Sequence, residues 1–306
     1  MLGLNMKKAE WNQKNRHMEK AVELFFLLLA CVSIVAVIVI CVFLFANGLP
    51  AVAEIGVVDF LFGMKWRPGE NLFGIFPMIV GSIYATVGAI LIGVPIGVLT
   101  AVFMAKICPK KLYKFLKPAV ELLAGIPSIV YGFFALVVIV PLIRNLFPGN
   151  GLSLLSACIL LGIMILPTII GVAESAIRAV PESYYEGALA LGATRERSPF
   201  CVVLPAAKSG VSAGVVLGIG RAIGETMAVN MVAGNQKVIP ESIFKGVRTL
   251  TTNIVMEMGY AVDLHREALI ANGVVLFLFI LIINSVFFFL KRPERGKNKR
   301  VKKVVG

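Results

Sequence analysis

The sequence predicts an all-α integral membrane protein with six transmembrane helices. Three observations lead there. Of the 306 residues, 58% are hydrophobic and the mean hydropathy is +0.89, which leaves too little polar surface for a water-soluble domain. Apolar runs recur at 24–46 and at about 77–104, 119–143, 152–173, 209–234 and 268–290, each beyond the ~20 residues that cross ~30 Å of hydrocarbon. In lipid a segment must satisfy its own backbone polar groups, so these runs are read as helices.

Residues 1–23 are polar and basic, with Lys7, Lys8, Lys14, Arg16 and Lys20. The run at 24–46 is too long for a signal-peptide core, and no small-residue cleavage site follows it. It reads as a retained first span. Six crossings put both termini on one side of the membrane. With the N-terminus inside, the inner segments hold 22 Lys and Arg and the outer segments hold 7. This asymmetry orients the chain with both termini cytoplasmic. The net charge of +13 is therefore mainly a topology signal with added attraction to anionic lipid. No RNA-binding motif or folded basic domain is visible, which argues against nucleic acid.

The outer segments 47–76 and 235–267 are large enough to form a contact surface. The second span carries Gly81, Gly88, Gly93, Pro95 and Gly97, and the fifth carries Gly210, Gly214, Gly218, Gly220 and Gly224. The pairs Gly93/Gly97, Gly214/Gly218 and Gly220/Gly224 have the spacing that lets helices approach closely. Close packing and sliding contacts in a moving transporter would use the same residues. Gly125-Ile126-Pro127-Ser128 predicts a kink in the third span, opening a polar spot in mid-membrane. Glu121 and Glu174 fall at inner ends of spans and read as interfacial. The tail 291–306 is strongly basic and reads as a cytoplasmic segment on the membrane surface.

Between the fourth and fifth spans, residues 181–206 read as a helical hairpin. Pro181 and Glu182 suit a first helical turn. Tyr184, Tyr185, Ala188 and Leu189 form one face, Gly192 stops the helix in a left-handed conformation, and Thr194 caps a second short helix. Pro205 allows the turn into the fifth span.

Arg221 and Glu225 lie in the fifth span at i, i+4, on one helix face. Charges in mid-bilayer cost ~2.5–3.5 kcal/mol on insertion scales, so they point to function by default. Two readings stand side by side. Arg221 offers charge and donors to an oxyanion path, with Glu225 neutralising it when the path is empty and Thr226 adding a hydroxyl. Alternatively, the two form a structural ion pair.

Other chemistry is poorly supported. The five cysteines have no CxxC spacing and read as packing residues. His17 and His265 fall on opposite sides of the membrane, which disfavours a metal site, and no cofactor is expected. Without G-x-x-x-x-G-K-[ST], nucleotide binding falls to another chain. Gly210-Val211-Ser212-Ala213-Gly214 matches the G-x-S-x-G elbow of hydrolases but opens an apolar helix without a His or acid at hand. A secondary transporter is the rival of another class, disfavoured by six spans without an evident repeat.

Glu186-Gly187-Ala188, Gly192, Val202, Leu204 and Pro205 have the spacing E-A-A, three residues, Gly, nine residues, I-x-L-P. The segment resembles the cytoplasmic signature of ABC importer permeases, departing from it by Gly187 for Ala and Val202 for Ile. The resemblance implies a type I ABC importer permease fold whose hairpin docks on an ATPase subunit. Residues 125–132 (G-I-P-S-I-V-Y-G) and 221–229 (R-A-I-G-E-T-M-A-V) resemble motifs of permeases in phosphate-specific ABC importers. The latter motif, with Trp66-Arg67-Pro68 and F-G-I-F-P at 73–77, is closer to the PstC type than to the PstA type.

This likeness covers roughly residues 60–290. It implies a PstA-like second permease, a PstB-like ATPase dimer, an extracytoplasmic PstS-like binding protein and phosphate as cargo. It also implies a bacterial inner-membrane location. Arg221, Glu225, Thr226 and Ser128 are the expected substrate path; Glu186, Gly187, Ala188, Gly192, Leu204 and Pro205 are the expected coupling elements. Sulfate, molybdate or PstA-type permeases would share the hairpin.

Overall fold

A computed structural model describes the backbone of residues 2–290 and the side chains of residues 18–285. The basic tail 291–306 and the side chains of Lys7, Lys8, Lys14, Arg16 and His17 lie outside the described residues. Helix α1 (Leu2–Ile55) is continuous past the expected end of the first span. Its side chains from Leu24 to Leu29 are all exposed, as expected of a helix facing lipid. It packs along α13 (Asp263–Leu290), where Gly48 brings the two backbones close: a Cβ there would lie 3.0 Å from the Ala271 Cα.

A short helix, α2 (Val57–Phe62), leads into a small hairpin of β1 (Trp66–Arg67) and β2 (Leu72–Phe73), antiparallel with Trp66 opposite Phe73. Trp66, Phe60, Phe73 and Ile75 bury themselves against Leu250 and Leu269 and close one end of the bundle. Thus 47–76 is largely ordered structure rather than loop.

The bundle is centred on α7 (Leu154–Arg178). On one side lies α3 (Phe76–Val102), prolonged by a π-helical turn to Ile107. Helix α10 (Lys208–Gly224) also packs on α7. Glycines set both distances. A Cβ on Gly93 would sit 2.6 Å from the Ile165 side chain, and one on Gly218 would sit 2.8 Å from Ile169. Two of the three glycine pairs are therefore contacts within this chain. Gly220 and Gly224 have nothing within 4 Å among the described residues, so the third pair is not.

Among the described residues, five helices are long and apolar enough to span a membrane. A bent pair, Pro199–Ala206 with Lys208–Gly224 at 76°, stands where the fifth span was expected and makes six if it counts as one span. Two expected spans are broken. The run at 119–143 divides into α4 (Lys110–Gly125), α5 (Ser128–Phe134) and, after a π-helical turn, α6 (Val140–Leu146). A proline disfavours the helical region for the residue before it, and Ile126 (φ −69°, ψ 128°) and Pro127 (φ −58°, ψ 141°) are both extended. The expected kink is a complete break.

The run at 209–234 is interrupted too. Helix α10 stops at Gly224, Glu225 is extended (φ −69°, ψ 130°), and α11 (Met227–Val232) follows. Side chains replace the lost helical hydrogen bonds. The Glu225 carboxylate accepts from the Ala228 amide at 3.1 Å, and Thr251 donates to the Glu225 carbonyl at 3.0 Å. Thr251 belongs to α12 (Leu250–Glu257), which starts at a Thr249/Thr252 capping box.

Candidate functional site

The half-helices that follow the two breaks pack on each other. Gly132 of α5 lies against α11, where an added Cβ would meet the Ala228 Cα at 2.9 Å and the Met231 Sδ at 2.8 Å. Sequence separation hides this pairing, because the breaks are about a hundred residues apart. Ser128 opens α5, half-buried, and Thr226 precedes α11, half-buried, with its hydroxyl donating to the Gly224 carbonyl at 3.1 Å.

The expected pairing of Arg221 with Glu225 does not form. The break after Gly224 removes the i, i+4 geometry, and no ion pair joins them among the described residues. Glu225 instead caps α11. Arg221 reaches α7, donating to the Thr168 hydroxyl at 3.3 Å. A guanidinium has five N–H donors, and among the described residues this is its one side-chain partner. The half-buried Arg221 thus keeps donors without a side-chain partner among the described residues.

The hairpin forms largely as its residues dictate. Helix α8 (Glu182–Ala190) starts after Pro181, and Gly192 takes φ +88°. The Gly192 amide bonds the Leu189 carbonyl at 2.9 Å and the Ala193 amide bonds Ala188 at 3.1 Å, the paired bonds of a Schellman stop. The Thr194 hydroxyl accepts from the Arg197 amide at 3.3 Å and opens the second turn. That turn runs through a π-helical stretch (Pro199–Val203) into α9 (Leu204–Ala206).

Ala188, Val203 and Ala207 are buried, and a cluster of Ala101, Val102, Ala173 and Ile177 adjoins Val203 and Ala207. Glu186, Gly187, Gly192 and Pro205 are exposed and Leu204 is half-buried. On the face expected to hold Tyr184, Tyr185, Ala188 and Leu189, Tyr185 and Leu189 are half-buried but Tyr184 is 53% exposed, and Leu191 is 92% exposed. An uncovered apolar and acidic ridge therefore rests on a buried root. Beside it, Lys106 bonds Glu182 at 2.6 Å and lies 5.6 Å from the Tyr185 ring centre.

Two buried carboxylates were not singled out as sites by sequence. Glu174, read as interfacial, is 1% exposed. It accepts from Tyr113 at 2.7 Å, Lys117 at 2.8 Å and Arg178 at 2.6 Å. The Glu174/Arg178 spacing of i, i+4 was a visible signal; the partners on α4 were not. Glu121, by contrast, is exposed.

Glu257, at 2% exposure, accepts from Trp66, Lys237, Arg248 and His265. Burial alone would raise its pKa. Hydrogen bonds from Lys237, Trp66 and Arg248 outweigh that and hold it down to about 2. Of the cysteines, read together as packing residues, Cys158 is buried while Cys31 and Cys201 are exposed. Among the described residues no cluster of three His, Cys, Asp or Glu is placed to hold a metal ion.

Residues 93–293 match the family described as "Binding-protein-dependent transport system inner membrane component". The chain is 42% identical over 265 residues to "Probable ABC transporter permease protein YqgH" of Bacillus subtilis, covering 83% of this chain and 86% of that protein. It is 36% identical to "Phosphate transport system permease protein PstC" of Mesorhizobium japonicum, covering 79% and 80%. A solved transporter for "import of the acidic polysaccharide alginate" superposes with a TM-score of 0.59 at 16% identity, covering 88% of this chain and 96% of that one. The inward-facing MetNI methionine ABC transporter superposes with a TM-score of 0.56 at 22% identity, covering 74% and 98%.

Proposed function

This chain belongs to the family of binding-protein-dependent transport system inner membrane components, and from that membership we propose that it is the PstC-type permease of an ATP-driven phosphate importer. Its fold is that of type I ABC importer permeases. The observation that carries the cargo reading is Arg221: a half-buried guanidinium in a spanning helix, beside a backbone break, with donors left over after Thr168. Charge-assisted bonds to an oxyanion suit such a group. Relatives named as PstC support phosphate within the oxyanion class.

Arg221, Thr226 and Ser128 contribute to the path. Glu225 acts there through its backbone cap rather than as a counter-ion. The exposed ridge of α8, with Glu186, Gly187, Ala188 and Gly192, and the elbow at Leu204 and Pro205 couple the chain to a PstB-like ATPase dimer on the cytoplasmic side. A PstA-like second permease and a PstS-like external binding protein complete the assembly, and both termini of this chain are cytoplasmic. ATP hydrolysis belongs to the partner chains.

The cycle is alternating access. Closure of the ATPase dimer draws the hairpins together and opens the path outward; phosphate enters near Arg221 and leaves inward after hydrolysis. Nearly full exchange between the two states needs a bias of about 5.5 kcal/mol.

The test is copurification in detergent, then labelled-phosphate uptake in vesicles. The expected result is a second six-span chain, an ATPase and uptake that unlabelled phosphate competes away. Uptake driven by a proton or sodium gradient without ATP would defeat the reading. Competition by sulfate or molybdate but not by phosphate would change the cargo.

A further inference from the structure

Helix α4 is attached to the bundle in an unusual way. None of its sixteen residues is buried, so apolar burial contributes little to holding it. Tyr131 of α5 donates to the Leu123 carbonyl of α4 at 2.8 Å, and the side-chain bonds of α4 to α7 converge on one carboxylate. Tyr113 and Lys117, one turn apart on α4, donate to Glu174 at 2.7 and 2.8 Å. Arg178, one turn further along α7, bonds the same carboxylate at 2.6 Å and the Met104 carbonyl at 2.8 Å. Its guanidinium also lies 4.3 Å from the Tyr113 ring centre.

The positions of these helices give the node its significance. Three residues after Arg178 the chain reaches Pro181 and enters α8. Eight residues after Lys117 it reaches Gly125, the last residue before the break that precedes Ser128. The node therefore joins the helix that leads to the hairpin to the helix that leads to the broken span. Moving α4 away from α7 would strip two of the three donors from a buried carboxylate and leave it only Arg178 of its own helix, which makes separation costly.

We propose that Glu174 is a positioning residue of the transport cycle: it makes α4 move with α7, so that displacement of the hairpin reaches the break at Ile126–Pro127. This rests on the hairpin being the coupling element. Loss of the node separates the two motions, leaving ATP hydrolysis without matching transport.

The complete transporter, reconstituted in vesicles with its partner chains, tests this with Glu174→Gln, Lys117→Gln and Lys117→Arg. Copurification reports assembly, and phosphate taken up per ATP hydrolysed reports coupling. Glu174→Gln and Lys117→Gln are expected to assemble, to hydrolyse ATP within about twofold of wild type, and to lose about tenfold or more in uptake per ATP. Lys117→Arg, which keeps a charged donor, is expected to restore the ratio. Should Glu174→Gln fail to assemble, Lys117→Gln, at a partly exposed side chain, decides alone.

An unchanged ratio in an assembled variant would overturn the proposal. Glu186→Lys in the same assay separates the two levels. A ratio lowered by Glu186→Lys but not by Glu174→Gln removes the node and keeps the hairpin. A ratio lowered by neither removes both.

Discussion

Trp66 and Glu257 are 191 residues apart in sequence, yet the indole Nε1 donates to the Glu257 carboxylate at 2.7 Å. With Arg248 and Lys237, each 2.6 Å from the other carboxylate oxygen, this bond ties the two segments expected to be outer loops into one cap. Glu257→Ala strands the Arg248 guanidinium in a buried site. It is expected to lower stability by about 3–5 kcal/mol. Chemical unfolding of the detergent-solubilised chain measures this, and a loss below about 1 kcal/mol would mean the cap is held by its apolar contacts alone.

The same carboxylate predicts an acid dependence. Its folded pKa is depressed to about 2 from an ordinary 4.5. A depressed carboxylate contributes stability that is fully present above about pH 4.5 and is lost as pH falls towards 2. The contribution is on the order of 3 kcal/mol. Unfolding midpoints of wild type and Glu257→Gln, compared between pH 7 and pH 3, should converge as acid is added. Parallel curves would contradict the assignment.

Arg221 and Glu225 have no direct bond, so their substitutions should behave independently. In unfolding, the coupling energy between Arg221→Gln and Glu225→Gln is expected to stay within about 0.5 kcal/mol. In uptake, Arg221→Gln is expected to abolish transport in a complex that still assembles, and Glu225→Gln is not expected to rescue it. A coupling of 2 kcal/mol or more, in the range of ~0.5–3 kcal/mol seen for contacting pairs, would restore the ion-pair reading.

Gly93 and Gly220 share a spacing motif but not an environment. Gly93→Val drives methyl groups into Ile165 and the Gly162 carbonyl and is expected to cost more than about 2 kcal/mol. Gly220→Ala meets nothing within 4 Å among the described residues. It should be neutral or stabilising by about 0.5–1 kcal/mol in the isolated chain. Should the second substitution disrupt copurification with a second permease, that face is where the partner packs.

The hairpin offers a matched pair. Gly187 lies in α8 with open space around it, whereas Gly192 has φ +88°. Gly187→Ala is expected to increase amide protection across α8, corresponding to about 0.5–1 kcal/mol. Gly192→Ala is expected to decrease it by about 1–2 kcal/mol through left-handed strain. Hydrogen exchange on residues 182–193 reads both.

The spans and the hairpin were legible because each rests on local rules: run length for the helices, and Gly192 and Thr194 for the stop and restart. The break at Ile126–Pro127 was half legible, since a proline constrains the residue before it but does not say whether a helix bends or stops. The break at Glu225–Thr226 was not legible. It depends on Thr251 supplying a bond from another helix, and Arg221 and Glu225 alone looked like an ordinary i, i+4 pair. The burial of Glu174 was not legible for the same reason. Hydropathy puts it at a span's end, but its burial is decided by Tyr113 and Lys117, 61 and 57 residues earlier.

The 76° elbow at Ala207 has a mechanical consequence. Helix α10 beyond it has 17 residues, about 26 Å at 1.5 Å per residue. A rigid rod pivoting at one end magnifies small angles: a swing of about 10° would carry Gly224 sideways by about 4 Å over that length. That is more than the diameter of a water molecule, at the very place where the rod ends and Glu225 begins. Were the hairpin displaced by a partner, the short arm Pro199–Ala206 would act as the handle of a crank whose throw is set by the length of α10.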